Sequence, residues 1–355
     1  LEFRRVLFRS QSFDYGLSWS LAGPQGAVQP GRSFNQDMSL GLLPAGTYAL
    51  KVSGTPGTAL AFRLLDVAAA ATAISLDTPT TATLTPGSSA QLFSFKGTAG
   101  QTIYLDNTAL SSTDPFYFSN PNAAGEWSVF DQYGNRVGGS FSLGQDSGRL
   151  TLPASGTYTL AVQGHAYIGG TTTSTFTVRD TADTTTALTL GSDVSDTIAV
   201  PGQVKSYTFT LAAPARLWFD GRTYDYAIWT LSGPQGAVQP GRTFANDDLP
   251  LGVLPAGSYS LQVSGTAGTA FAFALFDVAV APLVQLDTQT TATLTPGSST
   301  QLYRFTGTAG QTIYLDNIGV SSTDPSYGNV PGNTGVWAVY DQYGNQVGID
   351  RGFAQ

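Results

Sequence analysis

Asp77 to Asn107 reads DTPTTATLTPGSSAQLFSFKGTAGQTIYLDN, and the segment returns at 287–317 with five changes in 31 positions. Within it Phe93 and Phe95 alternate with Ser94 and Lys96, the period-2 pattern of a strand with one face in a core. The second copy tests that facing. Phe93 becomes Tyr303, while Ser94 becomes Arg304 and Lys96 becomes Thr306. Aromatic character persists on the face assigned inward, and the chemistry changes freely on the other. Pro86-Gly87 and Ala99-Gly100 bound the strand with turn residues.

Working outward, GPQGAVQPGR at 23–32 recurs at 233–242, and DQYGN at 131–135 recurs at 341–345, both with an offset of 210. A half-repeat lies inside that period. LPASGTYTLAVQG (152–164) resembles LPAGTYALKVSG (43–54) and LPAGSYSLQVSG (254–265), and IYLD at 103–106 resembles LWFD at 217–220. The unit is therefore about 100 residues in two alternating subtypes, a domain-sized bead in an array. The spacing divides the chain into the C-terminal part of one unit (11–66), two whole units (74–181 and 182–279) and the N-terminal part of another (280–355). It reads as a fragment of something longer. Leu1–Ser10, LEFRRVLFRS, reads as a translated sequencing adapter and is set aside like a fusion scar.

About seven strands are expected in each unit, near 81–85, 91–96, 101–106, 127–131, 149–152, 157–163 and 175–178. Short strands at regular spacing, without helical periodicity, predict an all-β fold: tandem antiparallel β-sandwich (jelly-roll-like) domains of about 100 residues, with an up-and-down barrel as the alternative.

Composition narrows function. The net charge is −8, and removing the adapter's three Arg and one Glu leaves 13 basic against 23 acidic residues. That balance excludes a nucleic-acid partner and an anionic membrane surface, which need a basic face. The longest apolar stretches, 64–76 and 270–284, are too short to span a bilayer and contain Asp66 and Asp277, so no membrane insertion is expected. Zero Cys removes disulfides, thiolate zinc sites and Cys nucleophiles together.

The unit resembles the bacterial pre-peptidase C-terminal domain. The resemblance rests on the aromatic strand Leu92–Phe95, Gly-x-Ala-Gly-Gln at Gly97–Gln101, a Trp strand into Asp-x-x-Gly-Asn at Trp127–Asn135, and LPASGTY with a closing strand at Leu152–Val178. It implies a jelly-roll-like sandwich, secretion, and a non-catalytic binding or spacing role.

Catalytic constellations are sparse. His165 is the single His and has no counterpart in the other units, so it reads as a plain loop residue. Gly144–Gly148 (GQDSG) is similar to a protease nucleophile loop but lacks its framework. Glu126 aligns with Val336, which leaves no recurrent acid pair of the glycosidase kind. The chain is expected not to be an enzyme.

Recurrent Asp residues are calcium candidates. Asp106 and Asp114 recur as Asp316 and Asp324, Asp220 and Asp225 stand in roughly the corresponding loop, and Asp131 and Asp341 precede a Tyr-Gly-Asn turn. The competing reading is that Asp caps turns through its own backbone. Trp19, Trp127, Trp229 and Trp337 share one strand position and are expected in cores, with Trp218. Phe116, Tyr117 and Phe118 are the better candidates for ligand contact, with Tyr327 left in the last copy. These features predict a stalk or adhesin-like segment of a large secreted or cell-surface bacterial protein. The alternative is an accessory substrate- or carbohydrate-binding module of an exported hydrolase or peptidase. Either way the partners are extracellular protein or polysaccharide.

Overall fold

The computed structural model describes residues 4–10, 16–34, 38–245, 248–323 and 335–353. Contacts divide the chain into two units, Leu1–Ala182 and Asp183–Gln355, each holding one complete sandwich.

In the first unit, residues 74–181 form two packed sheets. The four-stranded sheet runs in the order Arg149–Thr151, Thr102–Ser112, Thr172–Asp180, Thr80–Leu84. The five-stranded sheet runs Arg136–Ser142, Gly125–Phe130, Gly156–Gly164, Ala90–Gly97, Thr72–Ala73. All neighbours are antiparallel except Thr72–Ala73, which pairs parallel with Phe93 and Ser94. Between the sheets lie Phe93, Phe95, Ile103, Leu105, Trp127, Val129, Tyr158, Leu160, Val162, Phe176 and Val178. Phe176 meets Trp127 edge-on at 5.6 Å and Phe93 at 5.5 Å, which locks one sheet on the other.

The second unit repeats this topology at 182–279. Its sheets run Thr184–Ala187, Val204–Leu211, Gly257–Ser264, Ile228–Gly233, Gly236–Thr243 and Asp193–Thr197, Ala270–Asp277, Ala215–Gly221, Asp248–Leu254. Phe219 stacks on Trp229 at 3.9 Å in its core. The sandwich expectation is met, and two strands go beyond it. Arg136–Ser142, which contains Gly138-Gly139 and is not among the expected strands, is the return arm of the hairpin closed by Asp131–Asn135. Thr72–Ala73 is linker sequence enlisted as a strand.

The LPA(S)GTY repeat acquires a cause. Tyr158 Oη donates to Ala154 O at 2.5 Å, Tyr48 Oη to Pro44 O at 2.6 Å and Tyr259 Oη to Pro255 O at 2.7 Å. Each tyrosine ties the corner that starts its strand to the backbone four residues upstream. The glycine is fixed by close approach: a Cβ on Gly257 would lie 2.8 Å from Pro234, and φ is +143°.

Residues 16–66 carry two three-stranded sheets around Leu17, Trp19, Leu21, Phe34 and Leu43. Arg4–Ser10 fills the central position of one of them, with Val6 opposite Asp66 as Leu217 stands opposite Asp277 in the second unit. That slot has ladder partners on both sides, Met38–Leu43 and Phe62–Asp66.

The linkers are structured. Asp66 caps the turn Val67–Ala70, accepting from Ala68 N and Ala69 N, and Asp277 caps Val278–Val280 through Ala279 N at 2.8 Å. Val67 then packs on Leu92, Phe130 and Ala161, the outer face of the five-stranded sheet. In the second unit it is the four-stranded sheet whose outer face is covered: Tyr340 meets Trp218 edge-on at 5.1 Å, and Arg216 donates to Asp341 O at 3.0 Å. Leu283 bridges Arg304 in parallel, as Thr72–Ala73 does with Phe93–Ser94. Among the described residues of 280–355 ladder pairing is otherwise confined to short pieces, Val336–Trp337 with Arg351–Gly352 among them.

Candidate functional site

In the two complete sandwiches the candidate aspartates are engaged by protein donors. Asp106 Oδ2 accepts from Arg179 Nε at 2.7 Å, a half-buried ion pair between neighbouring strands. Asp114 caps Pro115–Ser119, its Oδ1 accepting from Phe116 N at 2.8 Å and its Oδ2 from Gly169 N at 2.6 Å. Eight residues of mostly extended chain separate the two, roughly 25 Å at strand rise, so they do not share one ion. Asp220 is fully buried against Arg222, and Asp225 accepts from Tyr226 N at 2.5 Å. Asp316 is exposed, and Asp324 lies outside the described residues. Among the described residues no group of three or more His, Cys, Asp or Glu could hold a metal ion.

The two DQYGN copies are Asp-built turns. Asp131 Oδ1 accepts from Tyr133 N and Asn135 N at 2.8 Å, and Oδ2 from Asn135 Nδ2 at 2.9 Å. Asp341 repeats the same three bonds at 2.8, 2.9 and 3.0 Å, and these bonds hold its carboxyl below the usual carboxylate range. Recurrence here reports turn geometry.

A charged cluster that sequence reasoning missed lies beside Asp220. Arg222 Nε reaches Asp220 Oδ2 and Arg222 Nη1 reaches Asp193 Oδ1, both at 2.7 Å. Thr300 donates its N–H to Asp220 Oδ1 at 3.1 Å and its hydroxyl to Asp248 Oδ2 at 3.0 Å, and Ser298 donates to Arg222 O at 3.0 Å. Burial raises the Asp220 pKa despite the attraction of Arg222. Asp248 keeps an exposed residue surface, yet its carboxyl end is crowded; burial of that end, then the charge of Asp220, push it up to about 6. The cluster fastens residues 298–300 to the sandwich rather than opening on a cleft.

Ser147, in the GQDSG loop, is buried; its hydroxyl donates to Gly148 O at 2.7 Å and accepts from Leu105 N at 2.9 Å. Its neighbour Asp146 accepts from Tyr104 Oη and Asn107 N, both at 2.8 Å. The loop is a clasp on the Thr102–Ser112 strand.

His165 is gathered into an aromatic corner. Its ring stacks on Tyr167 at 5.4 Å with 16° between planes, and Phe116 meets Tyr167 edge-on at 5.4 Å. Phe116 is 48% and Tyr167 42% exposed. Tyr117 turns inward and donates to Leu110 O at 2.8 Å, while the Phe118 side chain and Tyr327 lie outside the described residues. No sequence period links 114–117 to 165–169; the pairing of Ser112 with Thr172 sets the two loops side by side. The tryptophans divide: Trp19, Trp127, Trp229 and Trp218 are buried, while Trp337 is 38% exposed against Phe353.

No family model matches the chain, and none of the curated proteins does. Among solved structures it is similar to the pre-peptidase C-terminal domain of a collagenase from Bacillus anthracis, at 15% identity over 31% of this chain and 94% of that one, TM-score 0.21. It is also similar to PliG of Salmonella Typhimurium, a periplasmic inhibitor of g-type lysozyme, at 16% identity over 30% and 98%, TM-score 0.21. A third is the CUB1-EGF-CUB2 segment of human MASP-1/3, at 9% identity over 55% and 99%, TM-score 0.17. The sheets themselves define the protein class, an all-β chain of sandwich beads. No helix among the described residues is long and apolar enough to cross a membrane.

Proposed function

We propose that the chain is a non-catalytic repeat segment, stalk or adhesin-like, of a large secreted or cell-surface bacterial protein, built of beads of the pre-peptidase C-terminal type. The observation that carries this reading is the linker. It enters each bead as a parallel strand on the five-stranded sheet, at 72–73, at 184–187 and as a bridge at 283. Three residues separate the strand ending at Asp180 from the one starting at Thr184. A flexible tether would serve a catalytic domain that searches for substrate; a linker whose residues form ladder bonds with the bead it enters suits a spacer. Asp residues committed to turns, caps and ion pairs support structural work for the recurrent polar positions.

The second reading, an accessory binding module of an exported hydrolase or peptidase, is favoured by the exposed aromatic corner of the first whole bead. A long sequencing read across the native locus tests the pair. Flanks continuing as further beads toward an export or anchoring segment support the stalk. A flank encoding a peptidase or glycoside hydrolase overturns it in favour of the accessory module.

A further inference from the structure

The corner formed by Phe116, Tyr167 and His165 has a use beyond spacing: we infer that it is a docking site for a neutral polysaccharide. Its rings are held before any ligand arrives. Asp114 staples the two loops through Phe116 N and Gly169 N, and Thr113 doubles the tie, donating its N–H to Thr171 O at 2.9 Å and accepting from Thr171 N at 2.8 Å. Gly170 sits at φ +56°, where a Cβ would fall 2.4 Å from Thr113 Oγ1, so only glycine lets the loops close this tightly. Tyr167 Oη donates to Ala123 O at 3.4 Å, and Ile168 N to His165 O at 3.0 Å. Rings fixed in this way lose little freedom on binding.

Size and charge select the occupant. An aromatic side chain carries about 150–250 Å². At 48% and 42% exposure, Phe116 and Tyr167 together offer roughly 200 Å². A protein partner needs about 800 Å² on each side. The two rings stand at 79° to each other and His165 stacks on Tyr167, so the patch matches the C–H face of a single sugar ring. Residues 108–125 and 164–173, which build the corner, contain no Lys or Arg and one Asp. That disfavours sulfated or uronic-acid chains, whose anionic groups call for cations. A single contact of this kind is weak, and a polymer offering many equivalent rings raises occupancy by rebinding.

The test is affinity electrophoresis of the full chain through native gels containing soluble galactomannan, xyloglucan or dextran, with polygalacturonate and gelatin gels as the acidic and protein arms. We expect retardation in at least one neutral gel. Phe116→Leu, which keeps apolar volume but removes the flat ring, and Tyr167→Ala should weaken it by about tenfold or more. Tyr133→Ala, an exposed ring in the DQYGN turn, should not, and thermal melts of all three variants establish that they are folded. No retardation in any neutral gel overturns the site, as does retardation that survives both ring variants or occurs only with polygalacturonate or gelatin. None of these outcomes touches the stalk reading, which the flanking gene sequence decides.

Discussion

Replacing Asp131 by Ala removes three hydrogen bonds from one carboxylate that is 7% exposed as a residue, and leaves Tyr133 N and Asn135 N to find new acceptors. Hydrogen bonds to a charged acceptor contribute about 1.5–3 kcal/mol each, but the turn lies at the bead's edge and water replaces part of the loss, so the net cost is about 2–3 kcal/mol. At roughly 4 °C per kcal/mol for a domain of this size, the first whole bead should melt about 10 °C lower. Asp131→Asn keeps an oxygen for Tyr133 N and Asn135 N and loses only the side-chain bond, so its cost should be about 1 kcal/mol. Differential scanning calorimetry of the full chain gives the shift. Hydrogen exchange of peptides covering 125–142 assigns it to this bead, where the turn amides should lose protection. The same melts in EGTA should superimpose on those in millimolar Ca²⁺, because protein donors already fill the carboxylate. An Asp131→Ala melt within about 2 °C of the parent would refute the reasoning. So would a parent melt that EGTA lowers as far as the substitution does.

Three further predictions concern other contacts. Asp248 has its folded pKa raised from 3.8 to about 6, so its stabilising contribution is present at low pH and lost as pH rises through the folded value. Two pKa units amount to about 3 kcal/mol, and exposure of the residue discounts this to about 1. Asp248→Asn should therefore melt above the parent at about pH 7.5 and lose that advantage near pH 4, and an advantage that is equal at both would contradict the assignment. Tyr158→Phe removes the corner bond to Ala154 O and should cost about 1 kcal/mol, read as a fall of roughly 4 °C in the same bead; no shift would deny the corner a role. Val67→Asp places a carboxylate against Leu92, Phe130 and Ala161, and limited proteolysis should then cut between 67 and 73. Continued resistance there would show that the wedge does not hold the linker.

Strand identity was legible because one face of each strand is buried and the other wet, so aromatic rings persist at Phe93 and Phe95 (as Tyr303 and Phe305) while Ser94 and Lys96 change chemistry. Arg136–Ser142 was not legible, because its pairing energy comes from the neighbouring Gly125–Phe130 ladder and its own sequence is rich in glycine and serine. The LPA(S)GTY motif announced a repeat without its reason, since a tyrosine hydroxyl bonding four residues back leaves no periodic trace. The recurrent aspartates were visible as recurrent, but whether a carboxylate faces a cation, an arginine or a backbone amide depends on what the fold brings to it. Asp106 meets Arg179 from 73 residues away.

The amino-acid sequence by itself determined the all-β class and most of the inward-facing residues, because duplication with alternating burial writes those constraints into local pattern. Tertiary structure alone decided what the linker residues pair with and which loop side chains meet. Linker residues 72–73 become a strand only when the five-stranded sheet offers an edge. Phe116, Tyr167 and His165 become neighbours only because the Thr102–Ser112 and Thr172–Asp180 strands pair and bring their loops to the same end of the sandwich.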